Sequence, residues 1–406
     1  MTVKPILMSC LLSLLLGGCA GEGDSNQQAG QEIAEFDYTQ MLASYVDDII
    51  VPQLSQSRAN AQKLADDIAQ YCVADSASMA SRLDDARAQW RNTMSSWQHA
   101  ELFQVGPAAI NGGALRNRVY AYASSASFSS CAVDQSVVLA QGNSFDLTSR
   151  SFNSRGLAAI EYLLFNDSLA HTCPAQIPQT QGWNERAEAD RQLERCQYAQ
   201  LLAEDVEAGV AELEQAWRCD AGDYRYEFIL PANHEASLKA LSDALFYIEL
   251  ATKDAKLGVP LSIHLDCSAQ ACPDAVESPY AQISNDNIHS NLVGFKRAFN
   301  GEALGFADII RTEGFADIAD AFNQDIDAAI DLVQSINEPL LAQSERILAM
   351  GGEVECLNAA ANPEVNSAYP ACQLHGLLKR ITDRLRTDFI TIVNLDLPDR
   401  GQSDND

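Results

Sequence analysis

Basic residues are scarce. The 406-residue chain has 27 Lys and Arg against 56 Asp and Glu, a formal net charge of −29. Such a polyanion repels nucleic acid and anionic lipid faces, which removes nucleic acid as a partner. Catalytic signatures are missing as well: there is no GxxxxGK[ST] phosphate loop, no GxGxxG fingerprint and no GxSxG nucleophile elbow. Only six histidines occur, and none has a Glu three residues later, so no HxxE ligand pair exists. HEASL at 234–238 begins like the zinc-protease HExxH, but Leu238 stands where the second imidazole belongs. His234 and Glu235 are therefore expected in the first turn of a helix, where the dipole favours Glu. No CxxC pair offers metal-binding spacing. Beyond the N-terminus, no stretch approaches the ~18 apolar residues of a spanning helix.

What is present begins with an address. MTVKPILMSCLLSLLLGGC places Lys4 before an apolar run, Ile6 to Leu16, and ends in small residues before Cys19. This reads as a secretory signal peptide over residues 1–18, since the run is too short to span a membrane. Leu16-Gly17-Gly18-Cys19 looks like a bacterial lipobox, which implies cleavage before Cys19 and lipid on its sulfur. Ala20 and Gly21 follow, with no Asp of the inner-membrane retention kind. The expected location is the cell envelope, on the outer membrane facing the periplasm, with the lipid as the only membrane contact. Residues 19–35 form the lipidated Cys and a flexible tether.

Nine cysteines remain in the mature chain besides Cys19: Cys72, Cys131, Cys173, Cys196, Cys219, Cys267, Cys272, Cys356 and Cys372. An oxidising compartment predicts structural disulfides. Sequence does not give their connectivity. Short loops favour Cys267–Cys272, Cys356–Cys372 and Cys173–Cys196, then Cys72–Cys131, which leaves Cys219 free.

Apolar residues recur at helical steps. In 314–336 they are Phe315, Ile318, Phe322, Ile326, Ile330 and Val333. In 198–217 they are Leu201, Leu202, Val206, Val210, Leu213 and Trp217. Two-residue alternation is rare, and only short pieces such as 224–230 suit a strand. The fold class is all-α, two related four-helix-type bundles. The expected organisation is an N-terminal bundle over 36–217, a linker over 218–233, a C-terminal bundle over 234–398 and a tail over 399–406. A faint echo supports two related halves: FNSRGLAAIEYLLFNDS and IHSNLVGFKRAFNGEALGF each place a Gly, an aromatic and an Asn-containing turn in one order.

One carboxylate stands out. Glu161 lies within the apolar run GLAAIEYLLF, on one helix face with Leu157 and Leu164. A Glu in such surroundings is paired with a base or serves a site. In a site it would be a metal ligand or an anchor for a cationic group. Arg155 sits on another face of that helix, so the expected partner comes from elsewhere: Arg116, Arg118, Lys253 or Lys256. KDAKLGVP (253–260) ends a helix at Gly258 and brings Lys253, Asp254 and Lys256 to its last turn.

Several of these segments together resemble the imelysin-like family. WQHAELFQVGPA (97–108) is similar to its Trp…Glu…Gly-Pro segment, RGLAAIEYLLF to its central helix, CAVDQ to the next helix start, KDAKLGVP to its second-half turn, and NLVGFKRAFNGEALGFADII to its repeated helix. The resemblance runs from about residue 38 to 394. It implies two helical bundles with a pocket at their interface, in an envelope lipoprotein associated with iron uptake. Some members are described as peptidases. The family's signature is Gly-x-His-x-x-Glu; Gly156 and Glu161 keep their places here, but Ala158 occupies the His position. The chain resembles the branch with Arg-Gly-Leu before the helix, which puts peptidase activity in doubt.

The resulting expectation is a binding protein that captures a small molecule or metal chelate linked to iron uptake, with iron-uptake proteins as partners. Glu101, Arg155, Glu161, Lys253, Asp254 and Lys256 are its candidate site residues. No catalytic residue is assigned. Glu161 is the best candidate metal ligand, for iron or another divalent metal. The alternatives are a metallopeptidase of the imelysin type and a non-catalytic partner-binding scaffold.

Overall fold

The apolar stripes bury for the most part where their spacing puts them, although Phe315, at the head of the 314–336 stripe, is exposed. Leu202, Val206, Val210, Leu213 and Trp217 are all at most 1% exposed, while Leu201, on the flank of the stripe, is exposed. The computed structural model describes residues 36–122, 128–218 and 224–398. The expected signal peptide, Cys19, the expected tether, Cys219 and the expected tail lie outside these. Among the described residues all regular secondary structure is helical, with no strand.

Eight helices build two four-helix clusters. The first joins α1 (Val51–Cys72), α2 (Met79–Glu101), α3 (Gly156–Phe165) and α4 (Glu188–Trp217). The second joins α5 (His234–Leu245) and its continuation as a π-helix (Ile248–Gly258) to α6 (Ser284–Asn300), α7 (Ala316–Ser335) and α8 (Pro370–Arg384). Helix α2 packs on α6 and so ties one cluster to the other. The described residues from Asp37 onward belong to one compact unit. No described helix is long and apolar enough to cross a membrane.

The strand-like piece after residue 223 is a helix, Tyr224–Ile229. Tyr224 and Phe228, four residues apart, share a face and both meet the Trp217 ring edge-on, at 4.8 and 5.4 Å between centroids. Tyr226, which alternation would have placed with them, is exposed.

Among the described residues there are four disulfides, Cys72–Cys196, Cys131–Cys173, Cys267–Cys272 and Cys356–Cys372. The two short loops close as expected. The pairings Cys173–Cys196 and Cys72–Cys131 do not form, because helix packing overrides loop length. Cys72 ends α1, which lies along α4, so its neighbour is Cys196, 124 residues away.

The two glycines of the internal echo occupy close backbone approaches. Gly294 lies mid-way along α6, where an added Cβ would sit 3.0 Å from the His99 carbonyl of α2. Gly156 opens α3 at φ +70°, where a Cβ would sit 2.5 Å from the Val119 carbonyl. Gly156→Ala should therefore lose about 2–3 kcal/mol, from left-handed strain plus a displaced carbonyl. The check is the urea midpoint at constant m-value. A loss under about 0.5 kcal/mol would mean that the chain relaxes freely there.

Candidate functional site

A lysine is the centre of the buried polar network. Lys256 has no solvent exposure. Its Nζ donates to Gln98 Oε1 at 2.5 Å, Asn291 Oδ1 at 2.7 Å and Glu101 Oε2 at 3.1 Å, and lies 3.0 Å from Glu277 Oε1. Gln98 and Glu101 come from α2, Asn291 from α6, and Glu277 from the loop before α6. Four oxygens thus surround one ammonium, a cation site whose cation is built into the chain. The network is braced further: Asn291 Nδ2 donates to the Gln98 carbonyl at 2.9 Å, and Gln98 Nε2 and Tyr120 Oη donate to Glu277 Oε1 at 3.0 and 2.8 Å. Burial raises the Glu101 carboxyl above its usual range, opposed by Lys256 and reinforced by Glu277.

The π-helix decides which lysine enters. In an α-helix Lys253 and Lys256 would share a face. The wider π turn sends them apart. Lys253 meets Asp254 at 3.0 Å and Glu249 at 3.8 Å, and Glu249 also pairs with Arg386, next to α8. Lys253 and Asp254 therefore lie in the C-terminal cluster, apart from Lys256.

The loop from 259 to 283 carries the other half of the site. It is stapled by Cys267–Cys272 and tied back where Cys272 N donates to the Pro260 carbonyl. Ser278 and Gln282 adopt φ of +50° and +56°, folding the segment so that consecutive N–H groups point one way. Those of Tyr280 and Ala281 both donate to Glu161 Oε1 at 2.9 Å. Glu161 is 3% exposed. Burial pushes its carboxyl up to about 8, the two backbone N–H groups lower it, and Glu277 raises it further. The expected basic partner does not reach it. Arg116 donates to Gln104 and Asn117, Arg118 to Asp205 and Glu212, and Lys253 and Lys256 are held as described. Backbone amides take that role, and no side-chain pattern encodes them.

Between these groups lies a cavity of ≈ 500 Å³. Glu161, Ala158, Tyr120, Tyr122 and Phe128 border it from the first half of the chain. Ala255, Glu277 and Tyr280 do so from the second. Of the sequence candidates, Glu161 lines it, while Glu101 and Lys256 lie behind its wall through Glu277. Arg155 is elsewhere, pairing with Asp205 at 2.6 Å against α4. His234 and Glu235 open α5, as a first helical turn. Residues that sequence reading passed over include Gln98, Glu277, Asn291 and the four rings Tyr120, Tyr122, Phe128 and Tyr280. They come from separate helices and loops with no shared motif. The closest signal was VESPY (276–280), a carboxylate and an aromatic flanking a Ser-Pro turn.

The residues present do not suit the iron that the family likeness implies. Among the described residues no three His, Cys, Asp or Glu side chains converge as metal ligands. Ala158 offers no imidazole beside Glu161, and the Glu101–Glu277 oxygens already hold an ammonium.

The imelysin family's sequence profile matches residues 50–369. An imelysin-like protein from Psychrobacter arcticum 273-4 superposes with a TM-score of 0.64 at 15% identity, covering 89% of this chain and 96% of that one. A protein from Parabacteroides distasonis ATCC 8503, which carries the name iron-regulated protein A precursor, superposes at 0.56 and 15% identity, covering 89% of this chain and 98% of that one. No curated protein matches the sequence. With the profile spanning most of the chain and the helical architecture shared over 89% of it, the protein belongs to the imelysin family.

Proposed function

We propose that this imelysin-family protein is a periplasm-facing lipoprotein that binds a small molecule in the cavity between its two bundles, as a component linked to iron uptake. The observation that carries the reading is the cavity itself, ≈ 500 Å³ and walled by four aromatic rings and buried carboxylates. Its size and mixed lining are those of small-molecule sites. The lipobox-like Cys19 supports the anchor, and the name of the Parabacteroides neighbour supports the iron link. A peptidase reading finds no general base of the expected kind, since no histidine is among the described residues that line the cavity.

Native mass spectrometry and elemental analysis of the soluble mature chain from Ala20, purified from periplasm without chelator, test this. The expected result is a stoichiometric organic mass, released on denaturation and absent from Ala158→Trp, in which an indole fills the cavity. Stoichiometric iron or zinc that disappears in Glu161→Ala would replace the reading with metal binding. Neither mass nor metal would favour a scaffold.

A further inference from the structure

The cavity is charged in one sense only. The carboxylates of Asp266, Asp274 and Glu277 border it beside the Glu161 carboxyl, and among the described lining residues there is no Lys, Arg or His. The adjacent ammonium of Lys256 is saturated by four oxygens inside the wall. That one positive charge faces two carboxylates, Glu101 and Glu277, in direct contact.

Glu277 is the group that asks for a ligand. It has no solvent exposure, and while Oε1 receives Gln98, Tyr120 and Lys256, Oε2 has no hydrogen-bond partner. A buried carboxylate oxygen without a donor is costly, and a donor entering the cavity removes that cost.

Four rings complete the arrangement. Tyr120 and Tyr122 stack at 6.2 Å between centroids, with planes 12° apart. The Tyr122 hydroxyl lies 3.0 Å from the carbonyls of both Ala255 and Ala275. Tyr280 meets Phe128 edge-on at 6.4 Å and Tyr162 at 5.3 Å. These contacts hold the rings at the cavity wall, so a cation meets them without further ordering cost, and the Lys256 ammonium already stands 5.8 Å from the Tyr122 ring centroid.

We propose that the cavity receives an organic cation, an ammonium or guanidinium group on a small apolar body, whose N–H donates to Glu277 Oε2 while the tyrosines and Phe128 surround it. This rests on the binding reading above and narrows it. A ferric chelate rich in carboxylate or catecholate oxygens would meet the carboxylates of Asp266, Asp274 and Glu277 and no positive residue among the described lining. A bare divalent ion would lack oxygen ligands on the aromatic sides.

Calorimetric titration of the mature chain with three probes of one shape separates the possibilities: phenethylammonium, 2-phenylethanol and phenylacetate. The ammonium should bind at least tenfold more tightly than the alcohol, more weakly as salt rises, and phenylacetate should give no heat. Glu277→Gln should erase the preference for the ammonium over the alcohol. Because Glu277 also pairs with Lys256, Tyr280→Ala is the second variant, expected to weaken the ammonium severalfold with its circular dichroism unchanged. Equal affinity for ammonium and alcohol, or a preference for phenylacetate, overturns the cation inference and leaves the cavity reading standing. Binding of none of the three also overturns it; the cavity reading then falls only if the purified protein carries no bound mass.

Discussion

Lys256→Met should cost roughly 3–5 kcal/mol of folding stability, the scale of breaking a buried ion pair by removing one partner. The side chain is fully buried and its ammonium is the only positive charge in contact with Glu101 and Glu277 among the described residues. Met keeps the volume and withdraws the charge, so two carboxylates face each other in a dry wall. Protonation offers partial relief. Burial already holds the Glu101 carboxyl above its usual range, and losing Lys256 raises it further. The variant should therefore recover part of its deficit as the pH falls. Urea unfolding at pH 7 and pH 5 measures both effects. Adding Glu277→Gln to Lys256→Met should restore part of the loss, since the two residues share one interaction. A single variant within about 1 kcal/mol of the wild type would show that the network contributes little, as happens where a buried pair only offsets its own desolvation.

The fold was legible because it depends on periodicity, and the site was not because it depends on convergence. The stripes through α4 and α7 could be read from spacing, and the structure buries Val206, Val210, Phe322 and Ile326 where it puts them, while Leu201 and Phe315 at the stripes' margins are exposed. Glu161 was recognisable as misplaced in an apolar helix. Its partners were not, since they are the amides of Tyr280 and Ala281, groups that every residue except proline possesses. The separation of Lys253 from Lys256 follows from a π-helical turn that the side-chain pattern does not announce. The two longer disulfide pairings failed for a related reason, while the two short ones held. Sequence ranks pairs by loop length, whereas Cys72 and Cys196 meet because two long helices run side by side.

The second large effect concerns pH. Burial holds the Glu161 carboxyl at about 8 in the folded protein against 4.5 for an exposed glutamate. The groups facing it are the two loop N–H donors and Arg91, which lower it, and Glu277, which raises it. Between pH 4.5 and about 8 the unfolded chain has released this proton and the folded chain has kept it. The folded state then binds more protons, so this carboxyl makes stability fall as pH rises through that window and leaves it level outside. From pH 5 to pH 8 the decline amounts to about 3–4 kcal/mol from this residue alone. With 56 acidic residues in the chain, the total profile cannot isolate it, but a difference can. Glu161→Gln keeps a carbonyl to accept from Tyr280 and Ala281 and places an amide where the protonated oxygen stood. It should match the wild type near pH 5 and exceed it progressively toward pH 8. Parallel curves for the two proteins would mean that Glu161 stays ionised when folded. A positive group would then have to balance it, and none of the described lysines or arginines bonds to it.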